Sequence, residues 1–427
     1  MRVLVVGGGG REHAILRKLK ENSEITQLFA APGNGGIGYD AVRVPIPATD
    51  VKSIADWCAN EKIDYVVVAP DDPLALGLVD LLAERGIPAF GPTKSAAIIE
   101  SSKAFSKNLM KKYHIPTAEY ETFSDIEAAR VYLRANEKWP IVVKADGLAL
   151  GKGVLICQNE AEALMAVDEM MVGGKFGASG NTVVIEEFLT GPEVSVLSFT
   201  DGKTLVPMVS SMDHKRALDG DQGLNTGGMG TIAPNPYYTP EIAKQCMEEI
   251  FLPTVAAMNA EGRTFKGCLY FGLMLTADGP KVIEYNCRFG DPETQVVLPL
   301  LETDLFTVMQ AVTNGTLGDL AVNFSSRSAA CVVLASGGYP GSYEKGKLII
   351  GLTEGQLAGT DAIIYHAGTD LKDETLVTAG GRVLGVTATA DNLKEAVSKA
   401  YQAAGEISFE GMHKRSDIGA RALAAQS

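Results

Sequence analysis

Three polar side chains alternate along one short stretch of this chain. In Val282-Ile-Glu284-Tyr-Asn286-Cys-Arg288-Phe-Gly-Asp291-Pro-Glu293-Thr-Gln295, positions 284, 286 and 288 are spaced two apart. On a strand that spacing puts a carboxylate, an amide and a guanidinium on one face. Glu284 and Asn286 offer hard oxygens to a magnesium ion, which keeps waters and phosphate oxygens among its ligands. Arg288 adds a planar fork for a phosphoryl or carboxylate group. The implied chemistry is handling of a phosphorylated, metal-bound substrate. A merely solvated strand face would not explain why it runs directly into Gly-Asp-Pro-Glu.

Other segments point the same way. Lys144 lies in the apolar strand Ile141–Ala145 and needs an anionic partner there. It precedes Gly147-Leu-Ala-Leu-Gly151-Lys152-Gly153. That loop has one residue too few for a Walker A loop, and Gly153 stands where a Ser or Thr would meet magnesium. Its free amides could still fold over phosphates. Gly7 to Gly10 fails the G-x-G-x-x-G fingerprint, because Glu12 and His13 occupy the third glycine position. A nicotinamide site is therefore excluded, while an anion seat at a helix N-terminus remains, as does a plain tight turn. A long loop over 211–236 carries Asp213-His214-Lys215-Arg216 and Asn225-Thr226-Gly227-Gly228-Met229-Gly230, suited to a polar, phosphorylated or zwitterionic substrate. His214 is the most eligible general base of the five histidines, although nothing in the sequence orients it.

The elements that must position these residues can be read from periodicity. Residues 1 to about 100 alternate strand and helix: strands at Val3–Val6, Ile25–Ala30, Tyr65–Ala69 and Ala89–Phe90, helices at Arg11–Lys20 and Leu76–Arg85. This is the rhythm of a parallel sheet, with ligands at the strand C-termini. A Lys-rich helical stretch, Ser95 to Tyr113, stops before Pro116. A small, mostly antiparallel module follows, with strands Ile141–Ala145, Val154–Cys157 and Thr182–Phe188, helix Glu160–Met171, and a flexible surface loop from Gly173 to Gly180. Further on come strands near Ser195–Phe199 and Leu205–Val209, a helix at 240–260, and a hairpin turning at Asp278-Gly279. The last hundred residues open with strand Ala329–Ala335 and hold two hairpins. They close on a helix at 392–404 with Asp391 as N-cap and Gly405 as terminator.

Composition narrows the classes. With 38 Lys+Arg against 52 Asp+Glu, the chain of 427 residues carries −14 and has no basic run, which excludes nucleic acid and anionic membrane as partners. Its 46 glycines exceed the usual ~7% and gather in short loops. The six cysteines include no C-x-x-C pair and read as buried thiols of a cytoplasmic protein. The apolar run at the N-terminus is too short for a signal peptide.

The order Lys103, Lys144 with its glycine loop, Glu186-Glu187-Phe188-Leu189, and Glu284-x-Asn286-x-Arg288 resembles the ATP-grasp enzymes. Within them, the whole chain is similar to the glycinamide ribonucleotide synthetases (phosphoribosylamine–glycine ligases). The resemblance rests on Gly-Gly-Arg-Glu-His-Ala at 9–14, Pro-Gly-Asn at 32–34, Phe-Gly-Pro-Thr at 90–93, and Lys-Ala-Asp-Gly-Leu-Ala at 144–149. It continues in Asp-His-Lys-Arg at 213–216, Asn-Thr-Gly-Gly-Met-Gly at 225–230 and, most specifically, Arg-Phe-Gly-Asp-Pro-Glu-Thr-Gln at 288–295. It implies an α/β and α+β multidomain fold: an N-terminal parallel-sheet (pre-ATP-grasp) domain over 1–102, and an ATP-grasp A-domain over 103–122 and 191–325. A mobile B-domain lid would span 123–190, and an α+β C-domain 326–427.

The implied activity is an ATP-dependent carboxylate–amine ligation of purine biosynthesis. Glycine is joined to 5-phosphoribosylamine through glycyl phosphate, with magnesium or manganese, by a monomer or weak dimer that needs no protein nucleophile. By the same resemblance Lys103 and Lys144 contact ATP phosphates, and Gly147, Gly151, Lys152 and Gly153 cover them. Glu186, Glu187, Phe188 and Leu189 hold adenine, and Glu193 holds the ribose. Glu284 and Asn286 bind metal, while Arg288, Asp291, Asp213 and Lys215 face the reacting groups. Gly9, Gly10, Arg11, Pro32, Gly33 and Asn34 take the ribose 5-phosphate, with Asn225, Thr226, Gly227, Gly228 and Met229 beside the substrate. Gly8 departs from the family's usual Asn, Asp71 replaces the usual Glu, and Gly272 stands where many ATP-grasp enzymes have a second metal carboxylate. A bicarbonate-using ATP-grasp carboxylase and a non-catalytic nucleotide sensor are the competing readings.

Overall fold

A computed structural model describes residues 1–148, 153–173 and 177–426. The N-terminal sheet is parallel throughout. Its strands lie in the order Val42–Arg43, Gln27–Pro32, Arg2–Gly7, Tyr65–Val68 and Ala89–Phe90. Val3 to Val6 are fully buried because both faces of this sheet are covered. Val3 and Val5 join a core with Phe199 and Phe289, whereas Leu4 and Val66 join another with Phe271 and Val282. Alternation along a single strand thus welds the N-terminal sheet to the centre of the molecule. The strand order reverses between Arg2–Gly7 and Tyr65–Val68, and the loops at that crevice hold Gly8 to Gly10 and Asp71.

Two helices differ from expectation. The helix expected over Leu76–Arg85 is two, Asp71–Leu76 and Leu78–Glu84, separated by Gly77 at φ 90°. The Lys-rich helix breaks at Ser102, whose extended backbone lets its Oγ accept from Phe105 N at 3.0 Å. A new helix, Lys103–Lys112, starts there. The cap places Lys103 on the first turn, facing the cleft instead of continuing an exposed stripe.

The small module is a fully antiparallel sheet in the order Tyr120–Phe123, Val183–Glu187, Ile141–Ala145 and Val154–Cys157. Helices Ile126–Arg134 and Glu160–Met171 pack on it around a separate core that includes Leu133, Val143, Val167 and Ile185. Where a surface loop was expected to reach Gly180, a 3₁₀ turn spans Gly177–Asn181; residues 174–176 lie outside the described chain.

The central antiparallel sheet runs Leu205–Pro207, Glu193–Thr200, Gly267–Thr276, Gly279–Asn286. A last sheet runs Met212–Asp213, Gly230–Ala233, Ser328–Ala335, Arg382–Ala390, Ile363–His366. It crosses the boundary expected at 325/326, since its first two strands come from the segment assigned to the A-domain. The expected loop over 211–236 is therefore largely ordered, and it also contains the hairpin Arg216–Leu218/Gln222–Asn225. Helix Leu393–Gly405 covers this sheet; its N-cap is Asn392, which accepts from Glu395 N at 3.0 Å, and not Asp391. All six cysteines are free and buried. Among the described residues no helix is long and apolar enough to cross a membrane.

Candidate active site

A bulge aims the central carboxylate. Leu273 pairs with Val282 and Gly272 with Glu284, so Ile283 is the extra residue. Without it, Glu284 would share the buried face of Val282; with it, Glu284 and Asn286 turn into the cleft while Val282, Tyr285 and Cys287 stay in the core. Gly272 lies directly opposite Glu284, and a Cβ built there would stand 3.0 Å from Glu284 Cγ. The missing second carboxylate is thus matched by the space Glu284 occupies.

Four cations surround Glu284. Lys215 Nζ lies 3.6 Å from it and 3.5 Å from Glu193. Lys103 Nζ donates to Gly147 O at 2.7 Å and Lys144 Nζ to Ile283 O at 3.3 Å. Burial pushes the Glu284 carboxyl up, but Lys215, Lys144, Lys103 and Arg288 outweigh it and hold the group below its ordinary value. Lys215 is held well above its own, first by Glu193. Glu284 and Asn286 are the metal donors of this face, and among the described residues no group of three or more His, Cys, Asp or Glu is placed to hold a metal ion. The Asn286 amide makes no hydrogen bond among the described residues, so its oxygen is free. One carboxylate and one amide suit a magnesium ion that keeps water and phosphate ligands, so the donor set fits.

Arg288 is clamped. Its guanidinium reaches Glu100 at 3.0 Å and Asp71 at 3.9 Å, and donates to Phe289 O at 3.3 Å. Burial opposes its charge, but Glu100 and Asp71 drive its pKa above the usual value. Among the described residues its Nε is buried without a partner. Asp291 accepts from Gln295 Nε2 at 2.7 Å and pairs with Arg382 at 3.3 Å. Burial raises its pKa less than Arg382, Arg11, Gln295 and Arg288 lower it. Asp213 goes the other way: burial and then Glu293 push it well above the ordinary range.

The N-terminal loop abuts this motif. A Cβ on Gly9 would sit 3.3 Å from Asp291 Oδ2, and one on Gly10 2.6 Å from Gln295 Nε2. Gly9 N donates to Glu12 Oε2 at 2.6 Å, and Arg11 joins Glu12 at 2.7 Å and Phe289 O at 3.1 Å. At Gly8 a Cβ would stand 2.4 Å from Gly33 O, so this chain has no room for the family's Asn. Asn34 spends its amide on Gly8 O at 2.9 Å, His366 O at 2.8 Å and Ile37 N at 2.9 Å, bracing the turn that holds Pro32 and Gly33. Arg382 gathers the 225–229 loop, donating to Gly227 O and Asp291 O, both at 2.8 Å. Thr226 Oγ1 bonds Lys215 O and Gly228 N, each at 2.9 Å. Asn225 is exposed at the hairpin end and Met229 is fully buried, so neither side chain joins the cleft. Glu187 pairs with Lys281 at 3.2 Å beside exposed Phe188 and half-buried Leu189. Gly153 O accepts from Ala145 N at 2.9 Å; Gly151 and Lys152 lie outside the described residues.

Comparison with known proteins decides the family. Three family models match in succession: the phosphoribosylglycinamide synthetase N domain over residues 1–100, its ATP-grasp (A) domain over 101–294, and its C domain over 329–421. The chain belongs to the phosphoribosylglycinamide synthetase family. A phosphoribosylamine–glycine ligase of Caldanaerobacter subterraneus is 47% identical, covering 98% of this chain and all of the relative. One of Halalkalibacterium halodurans is 46% identical, covering the whole chain and 98% of the relative. The crystal structure of the Thermotoga maritima phosphoribosylamine–glycine ligase aligns with TM-score 0.86 at 35% identity, covering 98% of this chain and all of that one. The biotin carboxylase domain of a Hydrogenobacter thermophilus carboxylase aligns at TM-score 0.73 but 18% identity, covering the whole chain and 94% of that one, a likeness of ATP-grasp fold alone.

Against this family background, His214 has a structural place. It is 1% exposed, its Nδ1 pairs with Gly230 O at 3.1 Å, and its Nε2 accepts from Gly419 N at 3.1 Å. Both ring nitrogens are engaged by backbone, leaving none for a substrate proton. Burial pushes its pKa down to about 4. The folded state therefore takes up the proton less readily than the unfolded chain. Its contribution to stability is full above pH ~6.5 and is lost progressively as the pH falls toward 4. We expect its NMR signals to stay those of a neutral ring from pH 5.5 to 9, with no limb of the activity profile following it.

Several residues of the cleft were not singled out by sequence reasoning. Glu293 accepts from Tyr270 OH at 3.1 Å and Ser195 Oγ at 3.4 Å, and it was legible as part of the 288–295 motif. Glu100, Arg382 and Lys107 had no local signal; each acts through contacts far along the chain.

Proposed function

We propose that this protein is an ATP-dependent ligase that joins glycine to 5-phosphoribosylamine, giving glycinamide ribonucleotide, ADP and phosphate. The observation that carries the reading is the shared face of Glu284, Asn286 and Arg288 beside Lys103, Lys144 and Lys215. A carboxylate oxygen of glycine attacks the γ-phosphorus as the bond to ADP breaks, giving glycyl phosphate. The amine of phosphoribosylamine then attacks the carbonyl carbon, the bond to phosphate breaks, and the amine loses a proton. Lys103 and Lys144 hold the ATP phosphates under the 147–153 loop, Glu186 and the 187–189 backbone hold adenine, and Glu193 the ribose. Glu284 and Asn286 hold magnesium or manganese, which supplies charge neutralisation on the phosphates. Arg288 and Lys215 face the reacting carboxylate. Asp213 and Asp291 lie on the side of the attacking amine, and Asp291 fixes the neighbouring loop through Arg382 and Gln295. Gly9 to Arg11 and the Pro32–Asn34 turn lie on the side of the ribose 5-phosphate, and residues 225–229 border the substrate. The separate core of the 123–190 module supports its role as a lid over the nucleotide. Catalysis is positioning and electrostatics.

The test is ADP release with magnesium, glycine and freshly prepared phosphoribosylamine, each omitted in turn. Turnover requires all three; turnover on bicarbonate, or none with all present, defeats the reading.

A further inference from the structure

Glu186 is one carboxylate between two lysines. Its side chain and those of Lys107 and Lys144 are at most 8% exposed, and both ammonium groups contact it directly. Lys144 reaches it from the adjoining strand Ile141–Ala145, and its second contact is the Ile283 carbonyl at the floor of the cleft. Lys107 reaches it from helix Lys103–Lys112, one turn beyond Lys103, and it also donates to Thr117 Oγ1 at 2.8 Å and Ala118 O at 3.4 Å. Its ammonium lies 5.4 Å from the centre of the Tyr120 ring. Lys107 thus has a full set of fixed partners; Lys144 shares its carboxylate.

A buried triad of two cations and one anion carries a surplus positive charge. A simple Lys144–Glu186 pair would be neutral, and drawing Lys144 away to a phosphate would strand a buried carboxylate, which is strongly unfavourable. The second lysine changes that balance. We propose that Lys107 is a positioning residue for nucleotide binding: it keeps Glu186 neutralised so that Lys144 can transfer to the phosphates of ATP. Lys107 is the permanent partner of Glu186 and Lys144 the exchangeable one. Burial pushes the Lys107 ammonium down to about 8, against the opposing pull of Glu186, so its charge is already held at some expense and Glu186 is what keeps it.

The inference rests on the reading that Lys144 meets ATP phosphates, and a charge cycle read by calorimetry of ATP with magnesium separates the two. Lys144→Met weakens ATP binding if that reading holds; unchanged binding defeats the reading itself. Lys107→Met is expected to weaken ATP roughly 10- to 100-fold, although the Lys107 ammonium is already held by Glu186, Thr117 and Ala118, whereas Lys107→Arg stays within about threefold of wild type. In the Glu186→Gln background no carboxylate is left to strand. There Lys107→Met should cost less than about threefold beyond Glu186→Gln alone. If the Lys107→Met loss persists undiminished in that background, or is absent in the wild-type background while Lys144→Met weakens ATP, the proposal is wrong. Should Lys107→Met not fold, Lys107→Gln, which keeps a donor for Thr117 without the charge, takes its place in the same cycle with the same outcomes.

Discussion

Glu284→Gln is expected to lower the rate of ADP release roughly 10²–10³-fold, with little change in melting temperature. The substitution keeps size and shape but removes the carboxylate charge that Glu284 offers to a metal. In the folded protein Glu284 is 39% accessible, and among the described residues its sole ion pair is a 3.6 Å contact with Lys215. Such a contact contributes at most about 1 kcal/mol. Stability and activity are therefore separable at this position. The sign of the neighbouring charge is informative as well: four cations lose their central counter-charge, so ATP itself should bind no more weakly. The magnesium concentration needed for half-maximal rate should rise. A variant with wild-type turnover and magnesium dependence would remove Glu284 from the metal site.

Arg415→Met is expected to destabilise the fold by about 3 kcal/mol, the low end for a broken buried ion pair. Arg415 is 1% exposed and grips Asp417 with two nitrogens, at 2.7 and 2.9 Å. Its remaining arm holds Asp221 at 3.0 Å and Arg216 O at 3.1 Å. Methionine fills the volume and leaves both acids facing an apolar surface. The loss is moderated because Asp221 keeps Arg421 at 3.2 Å and Asp417 keeps Gly220 N at 2.8 Å. The pH dependence identifies the interaction. Burial raises the Asp417 pKa, but Arg415 and Gly220 bring it down to about 2 from 3.8. A depressed carboxyl stabilises the fold above pH ~4, and that stabilisation disappears as the pH falls through 2. Melting temperatures from pH 2 to 7 should thus fall more shallowly with acid in Arg415→Met than in wild type. Parallel curves would mean that Arg415 acts through packing alone.

How much was legible in sequence depended on the range of the contact. The alternation at 284, 286 and 288 predicted a shared cleft face, but the bulge at Ile283, which turns that face away from Val282, leaves no local trace. Gly77 splits a helix that periodicity drew as one, because a left-handed glycine inside an apolar pattern looks like any other helical position. Asp391 and Asn392 are both good caps, and only the bond to Glu395 N chooses between them. Lys107 was invisible for a deeper reason. With Lys111 and Lys112 it is one more lysine in a stretch that reads only as a Lys-rich helix, and only the antiparallel module docking over it, through Glu186 and Tyr120, buries the charge. Strands Met212–Asp213 and Gly230–Ala233 were read as loop because they are short and because Gly230–Ala233, which joins them to the sheet, pairs with residues about a hundred positions away. Pairing at that separation carries no periodic signature of its own.

That last sheet sets the unit of inheritance for this chain. Its central strands belong to the C-terminal hundred residues, yet its edge is built from Met212–Asp213 and Gly230–Ala233, and Asp213 lies on that edge against Gly228. A chimera that exchanges only residues 326–427 between relatives would leave the edge of one parent hydrogen-bonded to the centre of another. The exchangeable cassette is discontinuous, and residues 212–233 must travel with the C-terminus for the graft to fit.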